Sequence, residues 1–257
     1  MPGTTRLLAI ETSTDTLSVA LGAGVPGSPV WQHSGPGGAQ ASATLLPRVR
    51  KLLDQAGWTL ASLDAVVFGR GPGSFTGLRT ACAVAQGLAY GARPEGLAVL
   101  PVDTLLALAE EARHAAAQLG GEVPDAIVAM LDARMNEMYV AVYACRAGVL
   151  SALSPARLCA PADLAMWLDE VLPSGATPLL AGNALQAYPE ALTPVRGFRT
   201  VALPTASALL RLAPSLLAGG HAVAARDALP LYVRDKVAKT TAEREQPATP
   251  VTTENLA

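Results

Sequence analysis

The sequence predicts an α/β protein made of two similar halves. Three observations lead there: a hairpin pattern that occurs twice, strands that alternate with amphipathic helices, and a glycine-rich loop set between a buried strand and a helix. The chain has 257 residues, 51% of them hydrophobic and 16% charged. That is long enough for two domains of roughly 100–150 residues and apolar enough to bury a core in each.

The first hairpin begins with Leu7-Leu8-Ala9-Ile10, turns through the polar residues 11–16, and returns as Leu17-Ser18-Val19-Ala20-Leu21 with alternating burial. Moving the frame by 121 residues without a gap places Ile10-Glu11 on Leu131-Asp132, and residues 17–21 on Met138-Tyr139-Val140-Ala141-Val142. A repeated unit with an acidic residue ending its first strand argues for duplication. Between the hairpins, Leu45, Leu46, Val49, Leu52 and Leu53 share one helical stripe, with Arg48, Lys51 and Asp54 opposite and Gly57 just beyond. Ala65-Val66-Val67-Phe68 reads as a buried strand that enters the loop Gly69-Arg70-Gly71-Pro72-Gly73-Ser74, and a small-residue helix follows over about 76–90. A strand at 97–102 and a helix started by Thr104 complete the first alternation. Later, residues 161–171 and 205–217 read as helices around a strand at 178–182. The domains are drawn at 1–103 and 104–239, with a polar, proline-containing tail at 240–257 expected to be disordered.

Composition excludes several classes. No apolar run reaches the roughly 18 residues of a membrane span, because Gln86, Asp103 and Glu110 interrupt the most apolar stretches. The N-terminal apolar run meets Glu11 almost at once, unlike an export signal. Cys82, Cys145 and Cys159 are few, far apart and in apolar segments, which suits reduced buried thiols and a cytoplasmic protein. A formal charge of −2 leaves no electrostatic footprint for holding nucleic acid alone. Any nucleic acid is then expected to be held mainly by a partner.

Chemistry concentrates at three places. The loop from Gly69 to Gly77 joins a strand to a helix N-terminus and has two readings. It can present N–H groups to an anion, or its glycines Gly71, Gly73 and Gly77 can allow close helix packing, with Ser74 as the cap. It lacks the lysine of a Walker A loop and the dinucleotide-binding spacing, which favours packing. The two hairpin turns, with Glu11 and Ser13 on one and Asp132 and Arg134 on the other, face each other across a cleft if the halves are related by a two-fold. Neither turn contains a glycine that would admit a triphosphate closely, and isolated acids at strand ends more often bond their own turns than a metal. His33, His114 and His221 stand alone, without the spacing of a histidine metal site. No metal, cofactor or catalytic residue is expected.

Three segments carry a resemblance: Leu8-Ala9-Ile10-Glu11-Thr12-Ser13, the run from Gly69 through Ser74-Phe75-Thr76-Gly77-Leu78-Arg79, and Asp132-Ala133-Arg134-Met135-Asn136-Glu137-Met138-Tyr139. With Pro230-Leu231-Tyr232-Val233-Arg234 near the C-terminus, they resemble the TsaB (YeaZ) family over nearly the whole chain. The resemblance implies an actin-like, hexokinase-like (ASKHA, ribonuclease H-like) fold of duplicated domains. It also implies a non-catalytic role beside a TsaD-like transferase, which places threonylcarbamoyl on N6 of a tRNA adenosine, with a TsaE-like ATPase docking on the pair. TsaD-like proteins hold a metal with a histidine pair on a helix, whereas Gln40-Ala41-Ser42-Ala43-Thr44-Leu45-Leu46-Pro47 contains no histidine here. The implied partner surface is the first-domain helices, for which Leu45, Leu46, Val49, Arg50, Leu53, Phe75 and Arg79 are the candidates. A stripe of leucines more often faces its own sheet, so Arg50 and Arg79 are the better contacts. A homodimer through the same patch is the expectation when the transferase is absent. The rival class is an independent ASKHA-type enzyme, a metallopeptidase or a small-molecule kinase. The missing ligand set and the glycine-free turns count against it.

Overall fold

The computed structural model describes residues 5–120 and 124–234, so the tail expected at 240–257 lies outside the described residues. Two five-stranded mixed sheets carry the fold. The first comprises β1 (Leu7–Glu11), β2 (Thr16–Gly22), β3 (Val30–Pro36), β4 (Ala65–Gly71) and β5 (Ala98–Asp103), in the order β3-β2-β1-β4-β5. The second comprises β6 (Ala126–Asp132), β7 (Met138–Arg146), β8 (Val149–Cys159), β9 (Leu179–Ala181) and β10 (Phe198–Thr200), in the order β8-β7-β6-β9-β10. The two orders correspond strand for strand. In each, the opening strand pairs antiparallel with the next and parallel with a later one: Ile10 lies beside Val19 and Phe68, and Ala129 beside Ala141 and Ala181. β1 and β6 are central, which is why both read as continuous apolar runs. This is a duplicated α/β fold, as the repeated hairpin pattern predicts.

Seven helices cover the sheets: α1 (Ala41–Ala56), α2 (Phe75–Gly91), α3 (Thr104–Gln118), α4 (Leu164–Val171), α5 (Ala184–Ala187), α6 (Pro189–Leu192) and α7 (Ala206–Ala218) among the described residues. On one face of the first sheet, Leu45, Val49 and Leu52 of α1 and Ala81, Cys82, Ala85 and Ala89 of α2 pack against Leu8, Ile10, Val66 and Phe68. The other face of that sheet is equally apolar, and α1 and α2 leave it bare. It is closed from the far end of the chain by α7, whose Ala206, Leu209, Leu210 and Ala213 meet Leu7, Ala9, Val67 and Leu100. The core of the first sheet is thus completed by a helix from the second half of the chain. Helix α3 lies between the halves, with Ala107 in the first core and Leu105, Leu108, Ala109 and Ala112 in the second. Arg211 of α7 ties the two helices together through Glu110 (2.8 Å) and Glu111 (2.6 Å), and Arg113 shares Glu110 at 2.7 Å.

Three strands go beyond the sequence reading, among them the short β10 at one edge of the second sheet. β3 is an edge strand whose side chains alternate between exposed and half-buried, and its polar and glycine-proline content hides the pattern. β8 is the equivalent edge of the second sheet, mostly exposed and carrying Pro155. Among the described residues, no helix is long and apolar enough to cross a membrane.

Candidate functional site: the cleft between the halves

The turns after β1 and β6 form the two lips of a cleft of about 420 Å³, floored by the start of α2 and crossed by residues 231–234. Of the residues proposed from sequence, Ser13, Gly73, Ser74, Asp132 and Arg134 line it, whereas Glu11 and Gly71 lie behind its wall. Thr14, Asp15, Phe75, Tyr139, Asn183, Tyr232 and Arg234 are also part of the lining.

The first lip is pressed onto the glycine-rich loop. Ser74 N–H donates to the Ser13 carbonyl at 2.7 Å, and the Thr12 hydroxyl donates to the Gly77 carbonyl at 2.7 Å. A Cβ at Gly73 would sit against Ser13, one at Gly77 would overlap the Thr12 carbonyl oxygen, and one at Gly69 would overlap the Glu11 carboxylate. These glycines serve close backbone packing, and Ser74 caps α2 by accepting from Gly77 N–H. Glu11 is fully buried. Its Oε1 accepts the Ser13 N–H at 2.6 Å, while Oε2 and the Ser13 hydroxyl have no aligned partner. Burial pushes the Glu11 carboxyl above its usual range, and the hydrogen bonds from Ser13 only partly oppose this. Glu11 therefore corrects the expectation of a cleft-facing acid: the absence of a side chain at Gly69 draws its carboxylate inward.

Side chains hold the second lip. Asp132 Oδ1 accepts the Tyr188 hydroxyl at 2.7 Å and the Arg134 N–H at 2.8 Å, and its Oδ2 lies 3.4 Å from the Arg134 guanidinium. The Asp132 N–H donates to Asn183 Oδ1 at 2.9 Å. Burial and the bond to Asp132 push the Tyr188 phenol up to about 12, so it stays a donor. Asp132 Oδ1 thus carries two hydrogen bonds, while Oδ2 faces the Arg134 guanidinium. Arg134, Met135 and Asn136 all have positive φ (62°, 58° and 58°), a left-handed turn made without glycine. Across the mouth, Arg134 reaches Asp15 at 3.2 Å. Among the described residues, no three histidine, cysteine, aspartate or glutamate side chains group closely enough to hold a metal ion.

The candidates for a partner surface separate by burial. Leu45 and Val49, at 0% and 2% exposure, are core residues, and trimming such a leucine to alanine costs about 2–5 kcal/mol of folding energy. They are corrected from surface to core, and Leu53 is half-buried against the same cluster. Leu46 (48%), Phe75 (36%), Arg50 and Arg79 are exposed. The Arg79 guanidinium lies 3.7 Å over the Phe75 ring, and its Nε donates to the Tyr232 hydroxyl at 3.1 Å. Sequence reasoning did not find Tyr188, Asn183 or the crossing segment as parts of the site. The aromatic and arginine at 232 and 234, standing after the last helix, were the available signal.

Comparison with known proteins agrees with this architecture. Residues 36–242 match the family model described as TsaD, tRNA N6-adenosine threonylcarbamoyltransferase. The chain is 32% identical over 248 residues to a tRNA threonylcarbamoyladenosine biosynthesis protein TsaB of Haemophilus influenzae, covering 90% of this chain and 94% of that one. It is 32% identical over 240 residues to the Escherichia coli protein of the same name, covering 91% and 96%. The solved structure of YeaZ from Pseudomonas aeruginosa superposes with a TM-score of 0.75 at 35% identity, covering 89% of this chain and 99% of that one. With about a third of its residues identical over nine-tenths of its length, the chain belongs to the TsaB (YeaZ) family.

Proposed function

We propose that this protein is a non-catalytic subunit for making N6-threonylcarbamoyladenosine in tRNA. In this reading it binds and supports a TsaD-like transferase in the cytoplasm, together with a TsaE-like ATPase, and meets tRNA only through that complex. The biosynthetic names of its full-length relatives and the match to the transferase's own family model support the pathway. One observation carries the non-catalytic part. The two carboxylates at equivalent strand ends are both turned to structural use, Glu11 sealed behind Gly69 and Asp132 holding Tyr188 and the Arg134 N–H through Oδ1, with the Arg134 guanidinium beside Oδ2. A general base or metal ligand needs a free lone pair facing substrate.

The first-half helices supply the surface. α1 and α2 cover the same face of the first sheet, and their outward residues include Leu46, Arg50, Ala83, Gly87 and Tyr90, the last 82% exposed. Exposed leucine and tyrosine beside small residues and arginine is the composition of a protein-binding patch. The same patch would serve a homodimer when the transferase is absent.

The test is size-exclusion chromatography with light scattering, on the chain alone and with the TsaD-like protein of the same cell, followed by a tRNA threonylcarbamoylation assay. A one-to-one complex more active than the transferase alone is expected. Tyr90→Asp should abolish the complex without lowering the unfolding temperature. Absence of a complex and of stimulation, or tRNA modification by this chain alone, overturns the reading.

A further inference from the structure

The chain crosses the mouth of the cleft after its last helical turn, and its two ends are fixed by different means. On the first half, the fully buried Ala228 accepts the Cys82 thiol at 3.3 Å and Gln86 Nε2 at 3.0 Å from α2, and Leu231 N–H donates to the Arg70 carbonyl of β4 at 2.7 Å. Gly71, at φ 121°, makes that approach possible, since a Cβ there would press on the Leu231 carbonyl. Tyr232 continues over the first half, its ring 5.3 Å from that of Phe75. On the second half, Val233 packs against the core cluster that contains Tyr139 and Tyr143. Arg234 donates to Glu137 Oε2 at 2.5 Å and reaches the Arg134 carbonyl and the Met135 sulfur, each at 3.4 Å.

The second attachment falls on a run of three consecutive non-glycine residues in the left-handed region, the longest such run among the described residues. The left-handed region is disfavoured for residues other than glycine, and Arg134, Met135 and Asn136 stand there in a row. The Arg134–Asp15 contact is exposed on both sides, 74% and 86%, and holds little. The Arg234 side chain is only 14% exposed, so its bond to Glu137 is the strong polar tie across the mouth.

We propose that residues 228–234 are a clasp: fixed to the first half by backbone hydrogen bonds, they close the cleft by gripping the left-handed turn of the second half through Arg234, and the cleft opens when that grip is released. Separation of Arg234 from Glu137, Arg134 and Met135, together with the Val233 contact, frees the second end, while the first end stays in place. The lips at 12–16 and 133–137 then part together.

Hydrogen–deuterium exchange with mass spectrometry on the full chain tests this, comparing the natural protein with Arg234→Ala, Glu137→Gln and the exchanged pair Arg234→Glu/Glu137→Arg. Peptides over 131–139 and over 12–16 are expected to exchange about tenfold faster in either single variant, the factor a charge-assisted bond of this burial supports. Peptides of β1 and β4 should be unchanged, and the exchanged pair should regain part of the protection. Acceleration confined to 131–139 would overturn the clasp, because the far lip would then be independent of it. Unchanged exchange at both lips, or uniform acceleration through the core, would overturn it too.

Discussion

The turns that follow β1 and β6 occupy equivalent places in the two halves, yet one is held by missing side chains and the other by side chains that are present. At the first, Gly69, Gly73 and Gly77 let the backbone of 11–13 settle directly on the loop and on α2. At the second, Asp132, Tyr188, Asn183, Glu137 and Arg234 surround a backbone left in an unfavourable conformation. The first arrangement admits no added atom; the second can lose its supports one at a time. A duplicated fold has thus kept its topology while exchanging the physics that fixes its two central turns.

The comparison breaks most sharply at Gly77. Alanine normally favours a helix interior over glycine by about 1 kcal/mol, but a Cβ at Gly77 would overlap the Thr12 carbonyl oxygen, a backbone atom with nowhere to go. Gly77→Ala is expected to destabilise by about 3 kcal/mol in urea unfolding, with the first lip displaced. Gly87, ten residues along the same helix, has open space around it, and Gly87→Ala should instead stabilise by up to about 1 kcal/mol. Equal effects at the two positions would show that propensity, and not the turn's packing, governs α2.

How much of this was legible in the sequence depends on whether the signal was local. The paired hairpins could be read because an apolar run ended by an acid is a local pattern, and it recurs at a fixed offset. The stripe of α1 could be read as amphipathic, and the structure buries Leu45 and Val49 while exposing Leu46. That α7 serves the first sheet could not be read: its apolar face says that it is buried but not against what. Nor could the sealing of Glu11, since a carboxylate that closes an apolar strand suggests exposure until Gly69 is known to lie beside it. Residues 228–234 follow neither helical nor strand periodicity, because their partners are loops and single side chains from both halves. Long-range partners of irregular chain leave no period to detect.

Next in size is the pH response of the sealed carboxyl. Burial raises the Glu11 pKa in the folded chain above its ordinary value near 4.5. In the interval between the two values the folded state therefore holds a proton that the unfolded state has lost, and stability falls as pH rises through it. Below the unfolded value both states are protonated and the contribution is fully present. Glu11→Gln keeps the shape without the charge. The variant should match the natural protein at acidic pH and gain on it as pH rises, seen as diverging unfolding midpoints. Parallel curves would mean that Glu11 meets water or a counter-charge when folded.

The smallest effect belongs to the contact that most visibly joins the two turns. Asp15 and Arg134 approach to 3.2 Å across the mouth, but both side chains are largely in solvent, and a pair of that kind contributes about 0.5 kcal/mol or less. Arg134 also keeps its second partner, Asp132, when Asp15 is lost. Asp15→Ala should leave both the unfolding free energy and the exchange rates at 133–137 within error, even at low salt, where a surface pair is strongest. If it loosened the second turn as much as Arg234→Ala does, proximity would outweigh burial, and the two turns would be joined lip to lip instead of through the segment that crosses them.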